Sequence, residues 1–121
     1  MKKWIFLIGL ILLFLGACST EEQAYSTIDI SEIESYQKDG YLVVDVREVN
    51  EYDAGHIPGA MNKPLSELSA GDMDGLDPSQ PYVIVCQSGN RSQQASDILA
   101  KADYSIVNVK QGMSSWTGPI E

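Results

Sequence analysis

Val83-Ile-Val-Cys86-Gln-Ser-Gly-Asn-Arg91-Ser92 is the stretch that decides the fold: an apolar, β-branched run stops at a cysteine, four residues including Gly89 follow, and an arginine and a serine open an amphipathic segment. From Ser92 to Ala102, the residues Ala95, Ile98, Leu99 and Ala102 fall at i, i+3, i+4 and i+7, which predicts a helix with an inward stripe. Working outward, Tyr41-Leu-Val-Val-Asp-Val46 and Ser105-Ile-Val-Asn-Val109 share the character of Pro81-Tyr-Val-Ile-Val-Cys86. All three are apolar on both alternating faces, as strands are when helices cover both sides of a sheet. Ser31-Glu-Ile-Glu34 has capping-box spacing, Ile33 and Tyr36 share a face, and Gly40 closes the segment. Strands alternating with helices predict a parallel α/β sheet. Between Pro64 and Pro81, Gly71, Asp72, Asp74, Gly75, Asp77 and Pro78 predict a surface loop around a short helix.

The same stretch carries the chemistry. Ligands of a parallel α/β sheet bind beyond the carboxyl ends of its strands. A short loop there can turn successive N–H groups inward as an anion nest, and the following helix N-terminus adds partial positive charge. With Arg91 these features favour Cys86 as thiolate, the form that acts as a nucleophile. Gly89 permits a positive φ or a close backbone approach. The expectation is a small electropositive cup that keeps one sulfur ionised and reachable. Against it stands the plain alternative that Cys86 is a small hydrophobe ending a core strand. Arg91 has the wrong sign for a helix N-terminus, so an anionic partner is expected.

The 121 residues carry 17 Asp+Glu, 8 Lys+Arg and one His, for a formal net charge of −9. Such an acidic chain with no Lys/Arg run argues against nucleic acid as a partner. Lys2 and Lys3 precede an uncharged run, Trp4 to Ala17, with the organisation of a signal peptide. It ends in Leu15-Gly16-Ala17-Cys18, which resembles the lipobox of bacterial lipoproteins. That resemblance implies cleavage after Ala17, a diacylglyceryl group on Cys18, and a domain anchored to the cell membrane or outer membrane on its extracytoplasmic side. The run is short against the roughly 20 residues of a spanning helix. The expected organisation is a leader over 1–17, Cys18 with a short tether over 18–25, and one domain over 26–121. Without the leader, 6 basic and 17 acidic side chains remain, a net charge of −11.

Three blocks make residues 25–121 resemble a single-domain rhodanese: Val44-Asp-Val-Arg-Glu48 continuing into Glu51-Tyr-Asp-Ala-Gly-His-Ile-Pro-Gly-Ala60; Cys86-Gln-Ser-Gly-Asn-Arg-Ser92; and Gly112-Met-Ser-Ser-Trp116-Thr-Gly-Pro119. The resemblance implies a doubly wound α/β domain with about five parallel strands. It implies that Cys86 takes sulfane sulfur as a persulfide, held by Gln87, Ser88, Gly89, Asn90, Arg91 and Ser92. It further implies structural roles for Asp45, Arg47 and His56, and a place for Trp116 near the active loop. Dual-specificity phosphatases of related fold have one residue more between Cys and Arg. The four here, Gln87 to Asn90, suit a single sulfur better than a phosphate, against phosphatase or arsenate-reductase chemistry.

Asp45 and Arg47, two apart at a strand end, read as a structural ion pair rather than an acid/base couple. Any Cys–His couple would need His56, and Gly55-His56-Ile57-Pro58-Gly59 reads as a turn. Met113 and Ser114, like Trp116, read as core or pocket wall. No metal, nucleotide or flavin motif is present, and no cofactor is expected. The loop lacks the basic residues of tandem-domain thiosulfate sulfurtransferases, and no second cysteine besides Cys18 is present to resolve a persulfide. The expected partners are a small sulfur donor and an external acceptor: cyanide, a thiol or a thiol protein. The competing reading is a binding or sensing module that keeps the fold without turnover.

Overall fold

Five short strands build one parallel sheet: β1 (Ser26–Ile28), β2 (Leu42–Asp45), β3 (Met61–Asn62), β4 (Tyr82–Val85) and β5 (Ile106–Val109). A computed structural model describes residues 24–121, and the spatial order is β1-β5-β4-β2-β3 with every pairing parallel. The expected leader over 1–17 and the expected lipidation site, Cys18, lie outside the described residues. Four helices connect the strands: α1 (Ile33–Lys38), α2 (Val49–Asp53), α3 (Leu65–Ser69) and α4 (Asn90–Lys101). Among the described residues no helix is long and apolar enough to cross a membrane.

The period-2 alternation of the strands divides the core in two. Val43, Val83, Val85, Val107 and Val109 face one side with Ile28, Ile33 and Ile57, and Tyr36, Tyr52 and Trp116 pack against them. Val44, Tyr82, Ile84, Cys86 and Ile106 face the other side, with Leu68 of α3 and Ala95 and Leu99 of α4. The central strands β4 and β5 are buried along their whole length, as a sheet covered on both faces requires.

Several local expectations shift. The capping box forms two residues earlier than Ser31–Glu34: the Asp29 N–H donates to Glu32 Oε2 at 2.8 Å and the Ser31 N–H donates to Asp29 Oδ2 at 3.0 Å. It caps a 3-10 turn, Ile30–Glu32, which α1 continues. Helix α4 starts at Asn90, and its buried residues are Ser92, Ala95, Ser96 and Leu99, whereas Ala102 is its exposed C-cap. Ser96 can take the inward place because its hydroxyl has a polar partner, Asn108 Oδ1 at 3.4 Å. Tyr25, expected in the tether, is half-buried against the second core cluster and donates its hydroxyl proton to Asp97 Oδ1 at 2.6 Å. The domain therefore begins at least one residue before β1.

Candidate active site

The two strand-to-helix loops at the carboxyl edge of the sheet, β2 to α2 and β4 to α4, meet at the site. In the second, Cys86 leaves β4, Gly89 adopts φ +101°, and α4 begins at Asn90. Its carbonyls point outward to the segment after β5. The Met113 N–H donates to Cys86 O at 2.8 Å, and the N–H and hydroxyl of Ser114 donate to Gln87 O at 3.0 and 2.9 Å. With those carbonyls held outside, the loop amides turn inward, and the Gly89 N–H donates to Cys86 Sγ at 3.1 Å.

Two glycines let the backbones approach. A Cβ on Gly112 would stand 2.2 Å from Gln87 C, and one on Gly89 would stand 2.1 Å from Lys110 O. Gly112 is thus as much a part of the loop as Gly89, though it lies 26 residues from Cys86 in the chain.

Burial pushes the Cys86 thiol up, but the Ser92 hydroxyl and the N–H groups of Ser92, Gly89 and Ser88 more than offset this, leaving its pKa below the ordinary thiol value. The Ser92 side chain is fully buried, and its other oxygen contact, Val109 O, is long at 3.4 Å. A hydroxyl has one proton to give, and a thiolate competes well for it. Helix α4 has no side-chain cap at Gly89, so its first N–H groups are left for the sulfur. The expectation of a reachable sulfur is corrected: Cys86 is 1% exposed, seated among Ile84, Ala95 and Leu99.

Arg91 meets the anion that its position requires. Its Nη1 and Nη2 donate to Glu51 Oε1 and Oε2 at 2.6 and 2.9 Å. The Arg91 bond holds the Glu51 carboxyl at about 2, well below the usual carboxylate range, although burial opposes it. Glu51 in turn raises Arg91, and the Cys86 sulfur adds to that effect. Arg91 is therefore first a clasp between α4 and α2. Glu51 was not singled out in the sequence; the sign of Arg91 signalled an anion but not which one.

The β2–α2 loop is held by Asp45 and Arg47, both buried. Arg47 Nε donates to Asp45 Oδ1 and Oδ2 at 3.0 and 3.1 Å, and Nη2 donates to Asp45 Oδ2 and to Gly55 O, each at 2.8 Å. This is the structural ion pair expected from the sequence. Arg47 Nη1 also donates to Gln87 Oε1 at 3.2 Å, tying the pair to the cysteine loop. Asn62, another residue not singled out, donates from Nδ2 to the carbonyls of Asp45 and Arg47, both at 2.9 Å.

His56 stacks on the Tyr52 ring at 3.7 Å between centroids, with Nδ1 2.9 Å from Tyr52 O and Nε2 3.7 Å from Glu121 Oε2. These contacts place it in the frame rather than beside the sulfur. Trp116 donates from Nε1 to Pro119 O at 2.9 Å and helps line a cleft of about 380 Å³. Arg47, Glu51 and Gln87 are polar residues of the cleft lining, and Ala54, Met113, Trp116 and Ile120 are apolar ones.

A sulfur in an amide cup, at the edge of a parallel sheet with helices on both faces, defines a class, and sequence comparison places the chain in it. Residues 22–119 match the rhodanese-like domain, and the protein belongs to that family. A thiosulfate sulfurtransferase of Pseudoalteromonas translucida, GlpE, is 32% identical over 95 residues, 77% of this chain and 90% of GlpE. YrkF of Bacillus subtilis, provisionally named a sulfur carrier protein, is 33% identical over 112 residues, 88% of this chain; the chain spans 60% of that relative's length. Among solved structures, a rhodanese-related protein from Thermoplasma volcanium is 33% identical with a TM-score of 0.73, covering 80% of this chain and 98% of its own.

Proposed function

We propose that the protein is a membrane-tethered sulfurtransferase working through a persulfide on Cys86. The observation that carries this is the inward N–H of Gly89 on a sulfur whose pKa is lowered by the loop. The Cys86 thiolate attacks the outer sulfur of a donor such as thiosulfate or a persulfide. A new S–S bond forms as the donor's S–S bond breaks, and its electron pair leaves on sulfite or a thiolate. Cyanide or a thiol then attacks the terminal sulfur, carries it off as thiocyanate or a new persulfide, and returns the Cys86 thiolate. Loop amides from Gln87 to Ser92 hold the persulfide anion, an electrostatic role like that of an oxyanion hole. A cysteine residue only 1% exposed favours a donor that leads with a single atom, in keeping with sulfur rather than phosphate as cargo.

Thiocyanate production from thiosulfate and cyanide tests this proposal, with Cys86→Ser expected to abolish it. Equal rates in the two proteins would remove Cys86 from the reaction. The low exposure also favours a second reading, a sulfane-sulfur or redox sensor without turnover. Intact mass after incubation with polysulfide separates the two. One added sulfur on Cys86 that a thiol removes marks transfer; stable oxidation without transfer marks sensing.

The tethering half of the proposal rests on the lipobox-like Leu15-Gly16-Ala17-Cys18. A labelled fatty acid should enter the wild type and spare Cys18→Ala, and label in both would refute the anchor.

A further inference from the structure

We infer, resting on the sulfur-transfer reading above, that the cleft beside the cysteine loop takes the carbon skeleton of a small organic hydropersulfide, and that Ile120 helps select a skeleton without negative charge. Gln87 of the cysteine loop lines the cleft, and so does Glu51 of α2, the partner of Arg91. The one guanidinium lining the cleft, that of Arg47, is already compensated by buried Asp45, and the neighbouring Arg91, outside the lining, is compensated by Glu51 through two short hydrogen bonds. No cation lining the cleft is left over for a sulfonate or a second carboxylate. The rest of the chain strengthens this bias, because its net charge after the leader is −11.

The rest of the lining suits carbon. Met113, Trp116 and Ile120 bring a thioether, an indole and a branched alkyl group to a volume of about 380 Å³, within the range of small-ligand sites. Ile120 is 59% exposed, so its apolar surface is available to a bound molecule. The segment that carries it is held firmly. The N–H groups of His56 and Glu121 donate to each other's carbonyls at 3.2 and 2.9 Å, and Glu121 Oε2 accepts from the Gly59 N–H at 3.0 Å. A Cβ on Gly55 would lie 3.1 Å from Ile120 Cδ1, so the isoleucine is seated directly over that glycine.

In the reaction the thiolate attacks the outer sulfur of R–S–SH, and the bond between the donor's two sulfurs breaks. Its electron pair stays on the inner sulfur, which takes the proton and departs as R–SH, leaving the Cys86 persulfide anion. No further oxidant or reductant is needed. The skeleton R remains in the cleft while only the leading sulfur enters the cup, which accommodates the deep seat of Cys86.

The test compares two donors with the same reacting sulfur, the hydropersulfides of phenylmethanethiol and of 2-mercaptoethanesulfonate. Sulfur gain on Cys86 is followed by intact mass in the full chain, in Ile120→Ala and in Ile120→Lys. The expected kcat/KM ratio favours the uncharged skeleton by about tenfold or more in the wild type, the scale of small-group discrimination in an apolar pocket. It should fall about fivefold in Ile120→Ala. In Ile120→Lys the added cation should raise loading by the sulfonate donor. Equal ratios in wild type and both variants, or equal use of the two donors by the wild type, would overturn the cleft assignment while leaving sulfur transfer intact. No sulfur gain from either donor would overturn both together.

Discussion

The β2–α2 and β4–α4 loops share a topology, yet one spends its polar groups on itself and the other presents them to a sulfur. After β2, the Arg47 N–H donates to Asp45 Oδ1 at 3.0 Å and the Glu48 N–H donates to Glu51 Oε1 at 3.1 Å, so carboxylates already occupy these donors. After β4, no side chain caps the helix, and the N–H groups of Ser88, Gly89 and Ser92 act on Cys86. A parallel strand followed by a helix always concentrates backbone donors at its carboxyl edge. What differs is whether a local anion claims them. The first loop becomes a brace and the second a cup around the sulfur, and the Arg91–Glu51 pair fastens one to the other.

Three substitutions put this contrast to the test. The largest effect belongs to the brace: Asp45→Ala leaves Arg47 buried without its carboxylate, and a broken buried pair of this kind costs about 3–5 kcal/mol. Urea denaturation should show a loss in that range; a loss below about 1 kcal/mol would mean that the β2 loop does not depend on its own anion. Gly89→Ala comes next, since a Cβ would lie 2.1 Å from Lys110 O at a φ of +101°. A destabilisation of about 1–3 kcal/mol follows from the backbone conformation alone, together with a sharp fall in sulfur loading of Cys86. Wild-type loading in this variant would show that the cup does not need its close contact with the β5 segment.

The smallest change tests the chemistry with the fold kept. Ser92→Ala removes the hydroxyl that lowers the Cys86 pKa, so the midpoint of alkylation rate against pH should move up. The sign follows from the direction of the shift. A thiol whose folded pKa is depressed is ionised in the folded protein at pH values where the unfolded chain still holds its proton. Its contribution to stability is present above the unfolded pKa of ~8.5 and fades as pH falls through the folded one. Ser92→Ala should therefore narrow this window. An unmoved midpoint would assign the lowered pKa to the backbone amides alone.

The parts of the fold most easily read were those with enough residues to show a period. The runs at 42–45, 82–85 and 106–109 are strands, and α4 is a helix. Strands β1 and β3 have only three and two residues, too few for an alternation to register, and α2 has five. The inward place of Ser96 was hidden for a different reason: a serine joins a core only when a partner such as Asn108 accepts its proton. In the site, the cysteine, the glycine and the helix start lie within seven residues and could be read together. Glu51 is 40 residues from Arg91, and Gly112 is 26 from Cys86, so neither declares its partner locally.

Adjacent residues alone are enough to place a cysteine at the end of an apolar strand before a glycine-bearing turn, and to require an anion for the arginine opening the next helix. These are short-range facts, because strand and helix periods and the sign of a helix end are properties of adjacent residues. It took the folded chain to show that Glu51 is that anion, that the segment after β5 holds the loop carbonyls outward, and that Cys86 is buried. Each depends on the sheet order β1-β5-β4-β2-β3, which places β5 and β2 on either side of β4. Strand neighbours are chosen by the packing of whole faces, a sum over distant residues that no local pattern contains.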